Sequence, residues 1–365
     1  MSEDIEIFDL EDAEQLAEFE ESTADEMAAD SDDIDDYGFE DEDFETDDHH
    51  GYKVRSGRRR SISHIVVLLI VVLLVGFSVY KVVKWNKGTA SDYNPDEDTS
   101  EFDVEPNDYI QPLSADQLAG KEDDGVTTIL TLGNSPFADN YDDNNLAKAI
   151  GDAYGATVIN GGFAEGYITS TGENYSDDMP EDGVSLYQVS KAIASGDFSV
   201  VEKAASTMSG ESQRAAEALK NTDMSKVDMI VIMYNLEDYK DHRPLGSEDK
   251  DDVTCIYGSI YKSIAAIQEA YPYIRIVYLS QPAGGVTIDD FFVDGDIHDI
   301  GCGTLTEYIN FEVAAVASRG ASFIDVYYGA INVEQRAEYL VDDYHISDAG
   351  AKSVADRLKK LISYE

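Results

Sequence analysis

The sequence predicts an α/β domain over residues 125–365, with an open, mostly parallel sheet covered by helices on both sides. Two patterns predict it. From Val126 onward, short apolar runs alternate with stretches of helical period, and successive strand-like runs are spaced at roughly 30–45 residues, the spacing of strand–helix–strand units. The runs are also apolar along much of their length, as strands buried on both faces are. About 240 residues are ample for one such domain.

Each element has its own signal in the sequence. Val126 to Leu132 is a buried strand, Asn144–Tyr154 a helix and Ala156–Asn160 a short strand. Helical periodicity fills much of Leu186–Leu219, and Val227 to Tyr234 is the next strand. A long helix covers Val253–Ala270, Ile274 to Leu279 is a strand, and Leu305–Ser318 is a helix. Ser322 to Val326 is the last strand. Asp348–Ile362 closes the chain as an amphipathic helix, with Val354, Leu358, Leu361 and Ile362 on one face.

The chain upstream of this domain is of another kind. Overall charge is 26 − 75 = −49, and about half of that excess sits in residues 1–50, which hold 24 Asp or Glu and no Lys or Arg. A tract so charged and so poor in apolar residues cannot bury a core, so residues 1–52 are expected to be a disordered acidic tail. A basic segment, 53–61, carries Arg55, Arg58, Arg59 and Arg60. Then residues 62–84 form an apolar run, uncharged from Ile65 to Phe77. Roughly 20 such residues cross a hydrocarbon core of about 30 Å as a helix, and a soluble helix of that length would show a polar stripe.

The expectation is a single transmembrane helix retained as a signal anchor, because no clear cleavage site follows it. Five basic residues before it against three after it (Lys81, Lys84, Lys87) place the N-terminus in the cytoplasm and the C-terminal domain outside. Residues 85–124, acidic and containing Pro95, Pro106 and Pro112, have the composition of an extracellular linker.

Composition also excludes classes. Two Cys allow one bridge at most, so this is no disulfide-stapled mini-protein. The acidic balance argues against a nucleic-acid partner, since phosphate binding needs clustered Lys and Arg. No Cys/His spacing suggests a metal site, and no cofactor is expected. The acidic run Glu248–Asp252 reads as a solvated helix N-terminus ahead of a weak Ca²⁺ site. Cys255 and Cys302 leave two readings open, one extracellular disulfide or two separate thiols.

In open α/β sheets, ligands bind beyond the carboxyl ends of the strands. The first strand runs into Gly133-Asn134-Ser135, which exposes a hydroxyl there beside backbone N–H groups that suit an oxyanion. Of the six His, only His242, His298 and His345 can serve the domain, and His298 reads as a loop residue. His345 lies three residues after Asp342, just before the last helix. A carboxylate so placed fixes the imidazole tautomer and leaves the other nitrogen for a nucleophile. Ser135, His345 and Asp342 are therefore the candidate catalytic triad.

On these residues the domain resembles the SGNH/GDSL hydrolases, a flavodoxin-like three-layer α/β sandwich whose members are mostly esterases, lipases and carbohydrate O-acetyl esterases. The likeness covers roughly 126–365. Gly133-Asn134-Ser135 resembles the family's Gly-Asp-Ser block with Asn for Asp, and Asp342-x-x-His345 followed by Asp348–Gly350 resembles its last block. Val158 to Phe163 resembles the second block, whose Gly donates a backbone N–H to the oxyanion; Gly162 is the best match, with Gly161 the alternative.

The third block, Gly-x-Asn-Asp, departs from the family. Aligning Asp238 with the block's Asp puts Glu237 at the oxyanion Asn position and Asn235 at the Gly; this register keeps the Asp and is preferred. The other register aligns Asn235 with the Asn. An ionised Glu237 cannot donate to an oxyanion, and losing one such donor costs about 2.7–4 kcal/mol in barrier.

The resemblance implies a serine esterase acting on short acyl esters, with an ester or glycan substrate and the bilayer as partner through residues 62–84. A catalytically weak or inactive glycan-binding module and an O-acyltransferase with the same triad are the alternatives.

Overall fold

The computed structural model describes residues 105–363, except 120, 122–123, 142, 172–175 and 177–181. The expected tail, juxtamembrane segment and transmembrane run at 62–84 lie outside the described residues. Among the described residues, no helix is long and apolar enough to cross a membrane.

Five strands form one parallel sheet: β1 Thr128–Gly133, β2 Thr157–Gly162, β3 Met229–Met233, β4 Arg275–Leu279 and, after a separate hairpin, β7 Ser322–Ile324. Their order is β2-β1-β3-β4-β7. The hairpin is β5 Gly285–Ile288 and β6 Phe291–Asp294. The main helices are α1 Leu146–Tyr154, α2 Leu186–Ser195, α3 Ser199–Ala205, α4 Gly210–Lys220, α5 Ile256–Ala270, α6 Leu305–Ser318 and α7 Asp348–Leu361.

The side-chain period of two splits each strand between two cores. Leu130, Leu132, Ile230, Ile232, Tyr278 and Phe323 face one core, filled from α2, α4, α5 and α6. Ile129, Met229, Val231, Met233, Val277, Leu279 and Ile324 face the other, filled from α1 and α7. The result is three layers, helix–sheet–helix, which is why the strands are apolar along their length.

Local signals set the helix ends. Asn145 Oδ1 accepts the Lys148 N–H at 3.0 Å and starts α1, and Gly155, left-handed at φ 64°, ends it. Ser347 Oγ accepts the Gly350 N–H at 3.2 Å and starts α7, immediately after the His345 loop. The periodicity over 186–219 is divided among three helices. Gly196, left-handed at φ 74°, ends α2, and Ser209 caps α4.

Two segments differ from the sequence expectation. Residues 106–111, expected to be linker, are part of the domain. Tyr109 pairs antiparallel with Phe323, with N–H to O distances of 2.9 and 2.7 Å, and Ser322 Oγ accepts the Gln111 N–H at 3.0 Å. Asp108 forms an ion pair with Arg357 at 2.6 Å, and Lys121 another with Asp228 at 2.5 Å. An edge strand leaves a row of N–H and C=O groups to be satisfied, and this polar strip covers part of β7. Composition reported its polarity and prolines and carried no sign of its pairing.

The hairpin is the second. Its turn uses Asp289 and Asp290, both at positive φ (50° and 66°). Asn-Gly or Asp-Gly is the pair that announces such a turn, so the sequence carried little signal for it.

Candidate active site

The site is built on the carboxyl ends of β1 and β3 and on the loop before α7. Gly133 ends β1 at φ 157°, and a Cβ there would lie 1.8 Å from the Met233 carbonyl oxygen. Only glycine lets β1 and β3 approach this closely and turn the next two side chains into the site. Gly133→Ala is therefore expected to lower the urea midpoint by the equivalent of about 3 kcal/mol or more. An unchanged midpoint would mean that the strands separate at little cost.

Ser135 opens the short helical turn Ser135–Ala138 and is 5% exposed. The first N–H groups of a helical turn have no partner within it, so its start offers donors beside the hydroxyl. Asn235, just after β3, donates Nδ2–H to Ser135 Oγ at 3.1 Å and to the Tyr344 carbonyl at 2.8 Å. The Tyr344 carbonyl can only accept, which fixes Nδ2 rather than Oδ1 on that side. One amide thus links the nucleophile candidate to the His345 loop.

His345 Nδ1 lies 2.7 Å from Asp342 Oδ2. Asp342 Oδ1 accepts the backbone N–H groups of Tyr344 and His345 at 3.0 and 2.9 Å. Partial burial raises the Asp342 pKa, but these hydrogen bonds and the His345 ring outweigh it and hold the carboxyl below its usual range. The hairpin buttresses the loop from outside: the Gly285 N–H donates to the Asp343 carbonyl at 3.1 Å, and Thr287 Oγ1 donates to Asp343 Oδ2 at 2.5 Å.

Among the described residues, no hydrogen bond joins Ser135 to the His345 ring. His345 Nε2 instead lies 3.9 Å from Asp139 Oδ2, one helical turn beyond Ser135. Burial pushes the Asp139 carboxyl up, with His345 opposing. Such gaps are common before substrate binds.

The third-block register differs from the preferred expectation. Asn235, not Glu237, faces Ser135. Glu237 opens the turn Glu237–Lys240, and its Oε2 accepts from Asn134 Nδ2 at 2.6 Å. The turn after β3 coils early enough that the residue three positions before Asp238 points at the hydroxyl. Asp238 is buried and holds the facing loop, accepting from Ile168 N, Thr169 N and Thr169 Oγ1 at 2.8, 3.1 and 2.7 Å.

Gly162, at the end of β2, packs tightly under the Ser135 turn; a Cβ there would lie 2.6 Å from the Phe137 Cβ. Its N–H donates to Asn160 Oδ1 at 3.0 Å, so in this state it is not a free oxyanion donor. Gly161 lies within the β1–β2 pairing, opposite Leu132.

The remaining candidates sit apart from this cluster. Cys255 and Cys302 are separate free thiols, with Cys255 buried. The His298 carbonyl accepts from the Tyr239 hydroxyl at 2.9 Å. Asp252 is spent on a local cap, accepting from Thr254 N and Oγ1 at 2.9 and 2.6 Å. Among the described residues, no group of His, Cys, Asp and Glu is arranged to hold a metal ion. Asn134 and Asp139 flank Ser135 in the turn after β1, and sequence reasoning assigns neither a role in the site. Their signal, polar side chains flanking an exposed Ser, does not by itself tell a site from a cap.

A parallel sheet in the order β2-β1-β3-β4-β7 carries Ser135 after its second strand in space, Asn235 after the third, and the Asp342/His345 pair before the final helix. This arrangement is the one that the resemblance to the SGNH/GDSL hydrolases implies. No family model matches the sequence, and no curated protein matches it. Several solved structures are similar to this domain. A protein from Lactobacillus plantarum is 17% identical over 64% of this chain and 95% of its own, with a TM-score of 0.44. A possible lipase from Chitinophaga pinensis is 14% identical over 64% and 96%, with a TM-score of 0.42. An aryl esterase from M. smegmatis is 14% identical over 64% and 97%, with a TM-score of 0.38.

Proposed function

We propose that the domain is a serine esterase that hydrolyses short acyl esters of the acetyl type, on a glycan or similar alcohol. The observation that carries this reading is the Asn235 amide donating to Ser135 Oγ beside the 2.7 Å His345–Asp342 pair. In the reaction, Ser135 Oγ attacks the ester carbonyl and His345 Nε2 takes its proton. Asp342 holds the ring and stabilises the imidazolium. Asn235 Nδ2 and the Ser135 N–H stabilise the tetrahedral oxyanion. His345 then protonates the leaving alcohol, and water repeats the sequence on the acyl-enzyme. A sugar hydroxyl in place of that water would make the same site an O-acyltransferase.

The test uses the full chain in detergent with p-nitrophenyl acetate. Acetate release by wild type and none by Ser135→Ala is the expected result; equal rates for the two overturn the reading. A second reading, a module that holds a glycan without turnover, is favoured by the Gly162 N–H already being occupied by Asn160. It predicts no covalent labelling of Ser135 by a fluorophosphonate, so robust labelling excludes it.

The apolar run at 62–84 supports placing this activity outside a cell membrane, with the acidic N-terminus in the cytoplasm. Carbonate washing should leave the chain with the membranes, and protease added outside intact cells should remove the C-terminal domain. Release by carbonate, or a domain shielded from protease until lysis, contradicts that placement.

A further inference from the structure

Asn134 stands where the resemblance has an acid, and Glu237 lies two residues beyond Asn235, which faces Ser135. The two side chains meet in space. Asn134 is fully buried. Its Nδ2 donates to Glu237 Oε2 at 2.6 Å and to the Gly166 carbonyl at 3.1 Å, and its Oδ1 accepts the Asn235 N–H at 2.7 Å. Asn235 then donates to Ser135 Oγ at 3.1 Å. An Asp at 134 could accept from Asn235, but it has no proton for the Gly166 carbonyl and would set two carboxylates side by side. The amide at 134 and the carboxyl at 237 are complementary.

We propose that Glu237 is a positioning residue for ester cleavage: its carboxylate grips the Asn134 amide, and Asn134 holds Asn235 against the nucleophile. The proposal deepens the esterase reading and rests on it. A charge-assisted hydrogen bond is about twice as strong as a neutral one, so the grip is firm when Glu237 is ionised. The same negative charge also favours the imidazolium that forms on His345. Protonation weakens both effects.

The charged groups facing Glu237 are Lys240 and Asp238 from its own turn and His345 from the loop before α7. Lys240 is itself held by the Tyr344 hydroxyl. Burial pushes the Glu237 carboxyl up to about 7, against the opposing pull of its own backbone hydrogen bond, Lys240 and His345. Glu237 therefore changes state within the working range of a hydrolase, and its proton must leave before the site is fully active.

The experiment is the pH profile of kcat/KM for p-nitrophenyl acetate, from about pH 5 to about pH 9, on the full chain and its Glu237→Gln and Glu237→Ala variants. Wild type is expected to show a step of up to about ten-fold in kcat/KM centred at about pH 7, where Glu237 ionises. Glu237→Gln keeps an acceptor for Asn134 and is expected to lack that step, with kcat at high pH within about ten-fold of wild type. Glu237→Ala removes the acceptor and is expected to lower kcat by about ten- to a hundred-fold with little change in KM. No such step in wild type, or one profile shared by wild type and Glu237→Gln, overturns the proposal.

A second readout needs no turnover. In chain labelled with ¹⁵N-asparagine, the Asn235 side-chain amide resonances should move with pH through about 7 in wild type and stay still in Glu237→Gln. Movement in an inactive wild type would end the esterase reading and keep the grip; a pH-independent signal ends the grip whatever the activity.

Discussion

Ser135→Ala is expected to abolish hydrolysis of p-nitrophenyl acetate, with kcat falling by a factor on the order of 10⁴–10⁶, the range for loss of a nucleophile whose partners act as a unit with it. Fluorophosphonate labelling is expected to disappear with it. The fold is expected to survive, because among the described residues the serine Oγ receives one hydrogen bond, from Asn235 Nδ2, and that amide keeps its 2.8 Å bond to the Tyr344 carbonyl when the hydroxyl is gone. A buried donor left with one good acceptor costs little. The check is paired, steady-state rates for both chains and a thermal melt for both. A variant that keeps the wild-type rate places the chemistry at another residue. One that loses its melt as well as its rate shows that the hydroxyl is structural.

Asn235→Ala carries the second largest effect. Removing one preorganised oxyanion donor costs about 10²–10³ in kcat, while KM moves little because the donor acts mainly on the charge that develops in the transition state. The same substitution separates the two third-block registers functionally. If Asn235 is the donor, Asn235→Ala is severe and Glu237→Gln is mild at high pH. If the order of severity is reversed, Glu237 rather than Asn235 lies next to the reacting oxygen. Asn235→Ala also leaves the Tyr344 carbonyl without its side-chain donor, so a stability loss of about 1–3 kcal/mol accompanies the kinetic one. Comparing the variants well below their melting temperatures keeps the two effects apart.

The uneven legibility of this domain has physical causes. Leu305–Ser318 and α7 were readable nearly to the residue, because an amphipathic period and a cap are local facts. The His345–Asp342 pair was readable for the same reason: three residues of loop bring the side chains within reach wherever the loop sits. Asn235 and Glu237 were not separable in this way. Both follow the same strand by a few residues, and which one faces Ser135 depends on where the turn after β3 begins to coil. The Asn134 amide decides that by taking the Asn235 N–H, and Asp238 by anchoring the loop at Ile168 and Thr169, contacts about 70 to 101 positions apart in the chain. The strip that pairs Tyr109 with Phe323 was hidden likewise, since that bridge joins segments with no shared local pattern.

By itself, the sequence determined the layered α/β class, the Gly that ends β1, and the local pairing of His345 with Asp342, because hydrophobic period, steric need and short-range reach are properties of neighbouring residues. Only the tertiary structure decided which side chain meets the Ser135 hydroxyl and that Asn134 and Glu237 belong to one buried network. Hydrogen bonds form where packing brings the groups together, and packing is set by the whole sheet at once.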